Sequence, residues 1–264
     1  MAALHLPDTI VLERRPEPIA LMDAVVDHWE RHLRARLTQA SPRPLGLATG
    51  RTMEPFYAAL RERLRLWTAG DLARLRQSWL SFNLDEYVGL SAADPSSFAA
   101  FMQQQLAGPL GLSPDQLRVP NGAASDPERE AMAYGQALQV AGGVGLQLLG
   151  LGGNGHVGFN EPPCSADVTC RCVALCRATQ EQNAAAFGGD PHQVPDRAIT
   201  LGLAEILAAE EVHLIVTGES KRDILARVFA TGCDPSLPAS WLLRHPRVRL
   251  WVDDAALGVA VAAR

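Results

Sequence analysis

The chain has 264 residues, of which 47% are hydrophobic and 20% charged, and its net charge is −5. That length supports a core that needs no disulfide or metal to hold it. The acidic balance argues against nucleic acid or an anionic membrane as the main partner. The N-terminal stretch has no cationic start followed by an apolar run, and no apolar stretch approaches bilayer length, so a cytoplasmic protein is expected.

Residues 9–13 read as a short strand, and residues 18–39 carry apolar positions at helical spacing. The apolar run 44–49 predicts a buried strand, with a helix over 52–67 after it. A strand is expected over 78–84 and helices over 96–107 and 126–140; Asp126-Pro127 gives the last an N-cap and a first-turn proline. Residues 145–152 and 212–218 are mostly apolar runs, broken only by Gln147 and by His213 and Thr217, as strands of a parallel sheet are. A helix follows from 219 to Gly232, and a strand over 248–254 closes the series. The repeated strand–turn–helix order predicts an α/β fold with an open, mostly parallel sheet and helices on both faces, as one domain over 1–264. The segment 161–195, rich in Pro, Cys, Gly and Gln, has weak periodicity and reads as a lid over the site.

Ligands in such folds sit beyond the carboxyl ends of the strands, and four strand ends here carry polar clusters. Thr49-Gly50-Arg51-Thr52 is a small turn opening a helix, which offers backbone N–H groups to a phosphate. Asp85-Glu86 places two carboxylates at a strand end. Neighbouring strand residues point apart, so one of them faces the cleft; Asp85 is the candidate base, and Glu86 is placed among the substrate-binding residues. The stretch Gly153-Asn154-Gly155-His156 sets a histidine among glycines with Glu161 close behind, the pattern of a positioned proton-transfer group. Lys221 stands in the first turn of a helix, where its charge opposes the helix dipole. Of the 24 basic residues, 23 are arginine and only Lys221 is lysine. A compact ammonium is therefore wanted there, and a bound phosphate accounts for it.

Four of the five cysteines, Cys164, Cys170, Cys172 and Cys176, lie close in sequence without a CxxC pair, and read as small buried hydrophobes rather than a zinc site. His28 and His32 read as surface residues with no third ligand, and His245 as structural. No metal is expected.

The stretches LGLATGRTMEPFYAAL, SFNLDEYVGL, GLGGNGHVGFNEP, VPDRAITLGLAEIL and VHLIVTGESK, in this order, resemble the glucosamine-6-phosphate deaminase (isomerase) family, whose fold is shared with 6-phosphogluconolactonase. The resemblance implies an amino-sugar-6-phosphate deaminase acting on a small phosphosugar with no cofactor. It implies Asp85 as the base between C2 and C1, His156 as the ring-opening group, Glu161 and Asn154 as its supports, and Lys221 with the turn at Gly50-Arg51-Thr52 as the phosphate site. Two departures stand out. Asn154 replaces an aspartate common in the family, and Ala185 stands where the family often has a phosphate-binding arginine, so Arg51 is expected to supply the missing cation. The late stretch LPASWLLRHP leans toward the galactosamine-6-phosphate branch, so either epimer fits. The family includes monomers and hexamers, so the resemblance implies no oligomeric state. Against the lactonase alternative stand GHVGFNEP and DEY. Against a non-catalytic sugar-phosphate sensor stand the presence of both Asp85 and His156 and the absence of DNA-binding helices.

Overall fold

The computed structural model describes residues 6–230 and 232–258. The expected 1–264 domain and the helix expected to run to Gly232 therefore include residues (1–5, 231 and 259–264) that lie outside the described residues.

Seven strands form one sheet: β1 (Ile10–Arg15), β2 (Leu45–Leu47), β3 (Ser81–Asn83), β5 (Leu117–Arg118), β6 (Leu146–Gly150), β9 (Glu211–Val216) and β10 (Val248–Asp253). Their order is β1-β10-β9-β6-β2-β3-β5, and every neighbouring pair is parallel. The chain winds outward from β2 to β5 on one side and from β6 to β10 on the other. The winding reverses between β2 and β6, the place where open α/β sheets leave a crevice at the strands' carboxyl ends.

Helices cover both faces. In α1 (Pro18–Arg36), Leu21, Val25, Trp29 and Leu33 recur every fourth residue and are all buried, the stripe that a core-facing helix requires. Trp29 donates its indole N–H to Nδ1 of His213 on β9 at 3.1 Å. In α6 (Pro127–Val140), capped by the Asp126 side chain, Tyr134 packs edge-on against Phe82 of β3 with ring centroids 5.4 Å apart. Register links Phe82 to Gly46, Gly46 to Gln147 and Gln147 to Val212, whereas His213 pairs with Leu148 in the next row. Successive strand residues face opposite sides, so α1 and α6 lie on opposite faces. With α2 (Glu54–Arg65) beside α1, the aromatic core on that face joins Trp29 to Phe56 at 5.0 Å.

Three departures from the expected elements bear on the site. The strand expected over 78–84 begins later, because Ser78 ends a helix, α3 (Ala69–Ser78), whose Thr68 side chain caps it. Beyond β3 the chain changes sheets at Leu84: its N–H donates to Leu47 O at 2.9 Å, and its own carbonyl accepts from Leu201 N at 2.7 Å. Next, β4 (Asp85–Tyr87) joins a small antiparallel sheet with β8 (Arg197–Thr200) and β7 (Arg171–Ala174), in the order β4-β8-β7. Finally, the helix expected over 96–107 is α4 (Phe98–Met102), a π-turn over Gln103–Ala107 and a single turn, α5 (Gly108–Leu110).

The segment 161–195 contains β7, α7 (Arg177–Asn183) and two 3-10 turns, Ala184–Phe187 and Pro191–Gln193. Among the described residues the remaining α-helices are α8 (Leu203–Leu207), α9 (Arg222–Ala230) and α10 (Asp254–Leu257), with 3-10 turns over Glu219–Lys221 and Pro238–Arg244. No described helix is long and apolar enough to cross a membrane.

Candidate active site

A cavity of about 410 Å³ opens at the carboxyl ends of β2, β3 and β6. It gathers Thr49, Gly50, Arg51 and Thr52 after β2, Asp85 after β3, His156 after β6 and Lys221 after β9. The sequence places these residues up to 172 positions apart, and the winding reversal between β2 and β6 brings them together.

Asp85 is 6% exposed, and among the described residues its carboxylate has no hydrogen-bonding side chain. Burial, reinforced by the charge of Glu86, pushes it up to about 8. The loop after β6 passes directly over it. Gly158 has φ +58°, and a Cβ built there would lie 3.0 Å from Thr200 Oγ1 and 3.5 Å from Asp85 Oδ2, so a side chain at this position would press on Thr200 and touch the carboxylate.

Glu86 is not brought to this cavity. It points to the other side of β4, as strand alternation requires, and borders a second cavity of about 430 Å³. Its carboxylate accepts from the backbone N–H of Tyr87 at 2.8 Å, Phe98 at 3.0 Å and Ala99 at 2.8 Å. The expectation that Glu86 binds substrate is therefore corrected: it anchors the start of α4, whose Phe98 and Phe101 wall the first cavity.

His156 is 7% exposed, and burial pushes its imidazole down, with Glu161 opposing and Lys221 assisting the fall. Its ring lies against Gly152, where an added Cβ would sit 2.3 Å from Cδ2 and Nε2 and 2.4 Å from Cε1, so only glycine fits. Nδ1 faces Thr179 Oγ1 at 3.5 Å and Glu161 Oε2 at 4.0 Å. Asn154 joins the group: its Nδ2 donates to Glu161 Oε2 at 2.8 Å, and its Oδ1 accepts from His156 N at 3.2 Å. Partial burial alone would raise Glu161. Hydrogen bonds from Thr179, Cys176 and Asn154, with His156 nearby, outweigh it and hold the carboxylate below its ordinary value. Gly155 is buried with φ +90° and does not line the cavity.

Lys221 lies in a 3-10 turn (Glu219–Lys221) just before α9 rather than in the α-helix itself. Half-buried, its ammonium is shifted downward by desolvation and then by Arg51. An ammonium disfavoured by burial and by a neighbouring guanidinium is one that a bound anion would favour. On the other side, α2 starts at Glu54, two residues later than expected, and Glu54 also lines the cavity rim. Ala185 lines the cavity too, so no cation projects from that position. Sequence reading missed Thr179, Cys176, Gln182 and Glu54. The first three are spaced by three residues, the one available signal that they share a helix face.

All five cysteines are free, with Cys164 and Cys170 buried and Cys176 exposed. The grouping of His28, Glu211 and His213 corrects the reading of His28 and His32 as surface residues. Both are half-buried, and Nε2 of His28 lies 3.3 Å from Glu211 Oε1. This is the one cluster among the described residues with metal-ligand proximity, but its chemistry is already satisfied. The Trp29 N–H needs the Nδ1 lone pair of His213, which leaves Nε2 protonated and donating to Glu211 at 3.0 Å. Arg249 Nε donates to the same carboxylate oxygen at 3.0 Å. His245 is structural, as expected: it is buried, with Nε2 2.8 Å from Ala209 O and Nδ1 accepting from Arg247 N.

Fold and site together define an α/β protein in which a buried carboxyl (Asp85), a buried imidazole (His156) and two cationic side chains (Arg51 and Lys221) line one cavity at a topological switch point. The chain belongs to the family described as glucosamine-6-phosphate isomerases/6-phosphogluconolactonase, whose model matches residues 16–251. It is similar to glucosamine-6-phosphate deaminase of Rhodopirellula baltica, 42% identical over 80% of this chain and 82% of that one. To glucosamine-6-phosphate deaminase 1 of Giardia intestinalis it is 38% identical over 84% of this chain and 82% of the relative. Among solved structures, a monomeric glucosamine-6-phosphate deaminase superposes with a TM-score of 0.84 at 30% identity, covering 94% of this chain and 99% of that one. A 6-phosphogluconolactonase from Trypanosoma brucei superposes with a TM-score of 0.74 at 20% identity over 94% and 97%, which is a likeness of fold.

Proposed function

We propose that this chain is an amino-sugar-6-phosphate deaminase, converting glucosamine-6-phosphate or galactosamine-6-phosphate to the ketose 6-phosphate and ammonia. The observation that carries the reading is the buried, unpartnered Asp85 carboxyl in one cavity with His156, Arg51 and Lys221. The names of the relatives above support it.

In this reading the phosphate lies between Lys221 and Arg51, with backbone N–H groups of the turn Thr49–Thr52 completing the cradle. His156, neutral because it is buried, handles the proton that the ring oxygen takes up as the sugar opens; Asn154 holds its backbone N–H, and Glu161 acts on its imidazole through charge. In the open aldose the C1 carbonyl acidifies C2–H. Asp85 removes that proton and returns it to C1, turning the enolamine into a ketimine. Water then adds at C2 and ammonia leaves. The substrate's C2 ammonium lies next to the reacting C–H, so its charge draws Asp85 toward the ionised form that burial disfavours.

The segment 161–195 acts as a lid, its α7 and following turn forming one wall of the cavity. The whole 1–264 chain works as one domain in the cytoplasm, a compartment that suits five free thiols. Measuring ammonia from both amino sugar phosphates tests the reading: ammonia with ketose 6-phosphate supports it. Hydrolysis of 6-phosphogluconolactone without ammonia would favour the lactonase alternative.

A further inference from the structure

Cys176, Thr179 and Gln182 stand three residues apart and line one side of α7 and its cap. That side lies on the loop carrying His156. Cys176 Sγ is 3.1 Å from Glu161 Oε2, and Thr179 Oγ1 is 3.5 Å from His156 Nδ1. Gln182 Oε1 accepts from Gly153 N at 2.9 Å. From the same segment Gln182, Asn183, Ala185 and Ala186 line the cavity, and none carries charge, whereas the cations Arg51 and Lys221 stand on the other elements.

The orientation of the Gln182 amide follows from its partner. A backbone N–H must meet an acceptor, so the carboxamide oxygen is turned to Gly153. The NH₂ group is then turned away from the loop. It offers two donors and no acceptor, and it belongs to a half-buried side chain on the cavity wall. A sugar phosphate presents acceptor oxygens at every hydroxyl and on the phosphate.

We propose that Gln182 is a substrate-binding residue: its carboxamide NH₂ donates to an oxygen of the bound phosphosugar while its oxygen holds Gly153. This wall of the site thus recognises substrate by a neutral donor rather than a cation. The inference rests on the deaminase reading above. It also links occupancy to the catalytic loop, since Gly153 precedes Asn154, whose side chain bridges Glu161 and the backbone of His156.

The test compares Gln182→Met, which keeps length but removes donor and acceptor, with Gln182→Glu, which keeps the acceptor for Gly153 and removes the donor. Folding is checked by thermal melting. KM is measured for the amino sugar phosphate, and Kd by calorimetry for its reduced, open-chain amino-alditol 6-phosphate. Loss of a neutral hydrogen bond predicts KM and Kd raised about three- to tenfold in Gln182→Met. The rise should be larger in Gln182→Glu, whose charge repels phosphate, and in both variants KM should change by a larger factor than kcat. A Gln182→Glu enzyme that binds like the unsubstituted one would overturn the proposal, since an anchor for Gly153 alone would then suffice. So would a Gln182→Met enzyme that loses kcat at unchanged KM. If the unsubstituted enzyme releases no ammonia from either amino sugar, the deaminase reading fails and takes this inference with it. Release by the unsubstituted enzyme with unchanged variant binding defeats the inference alone.

Discussion

Oε2 of Glu161 stands 4.0 Å from Nδ1 of His156, and the same oxygen accepts from Asn154 at 2.8 Å. The carboxylate is thus held by its neighbours rather than by the imidazole. It acts on His156 through charge, raising a pKa that burial lowers. His156→Gln should therefore slow ring opening more than isomerisation. The deficit should be about 10²-fold or more on the cyclic substrate and smaller on an analogue held open. Equal deficits on both would remove the ring-opening role.

Asp85 carries the pH dependence. A base must be ionised, so kcat/KM of the free enzyme should fall as pH drops through about 8. Asp85→Asn should lose about 10²–10⁴ in kcat with phosphosugar binding retained. Retention of more than a tenth of kcat would show that another group is the base.

The same shift predicts a stability change of defined sign. The folded-state pKa of Asp85 is raised, so its contribution is complete below the unfolded value near 3.8 and is lost as pH rises toward about 8. Asp85→Asn, which cannot ionise, should melt higher than the unsubstituted protein, by a margin that widens from pH 5 to pH 8. Melting curves with a constant margin across that range would contradict the buried, unpaired carboxyl.

Lys221 and Arg51 line the same cavity, where the proposed reading sets the phosphate between them. Lys221→Arg keeps the charge but replaces a compact ammonium with a planar fork, and KM should rise about tenfold, equivalent to about 1.4 kcal/mol. Arg51→Ala should weaken phosphosugar binding about ten- to a hundredfold, the range of a charge-assisted hydrogen bond. Inorganic phosphate inhibition of each variant, and of Arg51→Ala with Ala185→Arg, is the check. Unchanged inhibition in Arg51→Ala means that Arg51 points to solvent.

The middle of the parallel sheet was legible because its strands are buried on both faces and read as mostly apolar runs, as at Leu146–Gly150, where Gln147 is the one polar side chain. Short elements were not. The three residues of β4 and the two of β5 are too few for periodicity, and α3 buries only Leu75, so its sequence lacks an apolar stripe. Asp85, His156 and Lys221 announced themselves by position at strand ends, and the structure places them in one cavity. Alternation already implied that Asp85 and Glu86 point apart, and β4 does turn them apart, so placing Glu86 among the substrate-binding residues went against the alternation. Gln182 left little mark: its partner Gly153 lies 29 residues away, a contact that only the docking of α7 creates.

The most direct test of the account is product analysis of the purified enzyme and its Asp85→Asn variant, with glucosamine-6-phosphate and galactosamine-6-phosphate assayed side by side. The account predicts one ammonia released per ketose 6-phosphate formed from at least one of the two, and near-complete loss in the variant. It is contradicted if neither amino sugar yields ammonia, or if the variant releases it as fast as the unsubstituted enzyme.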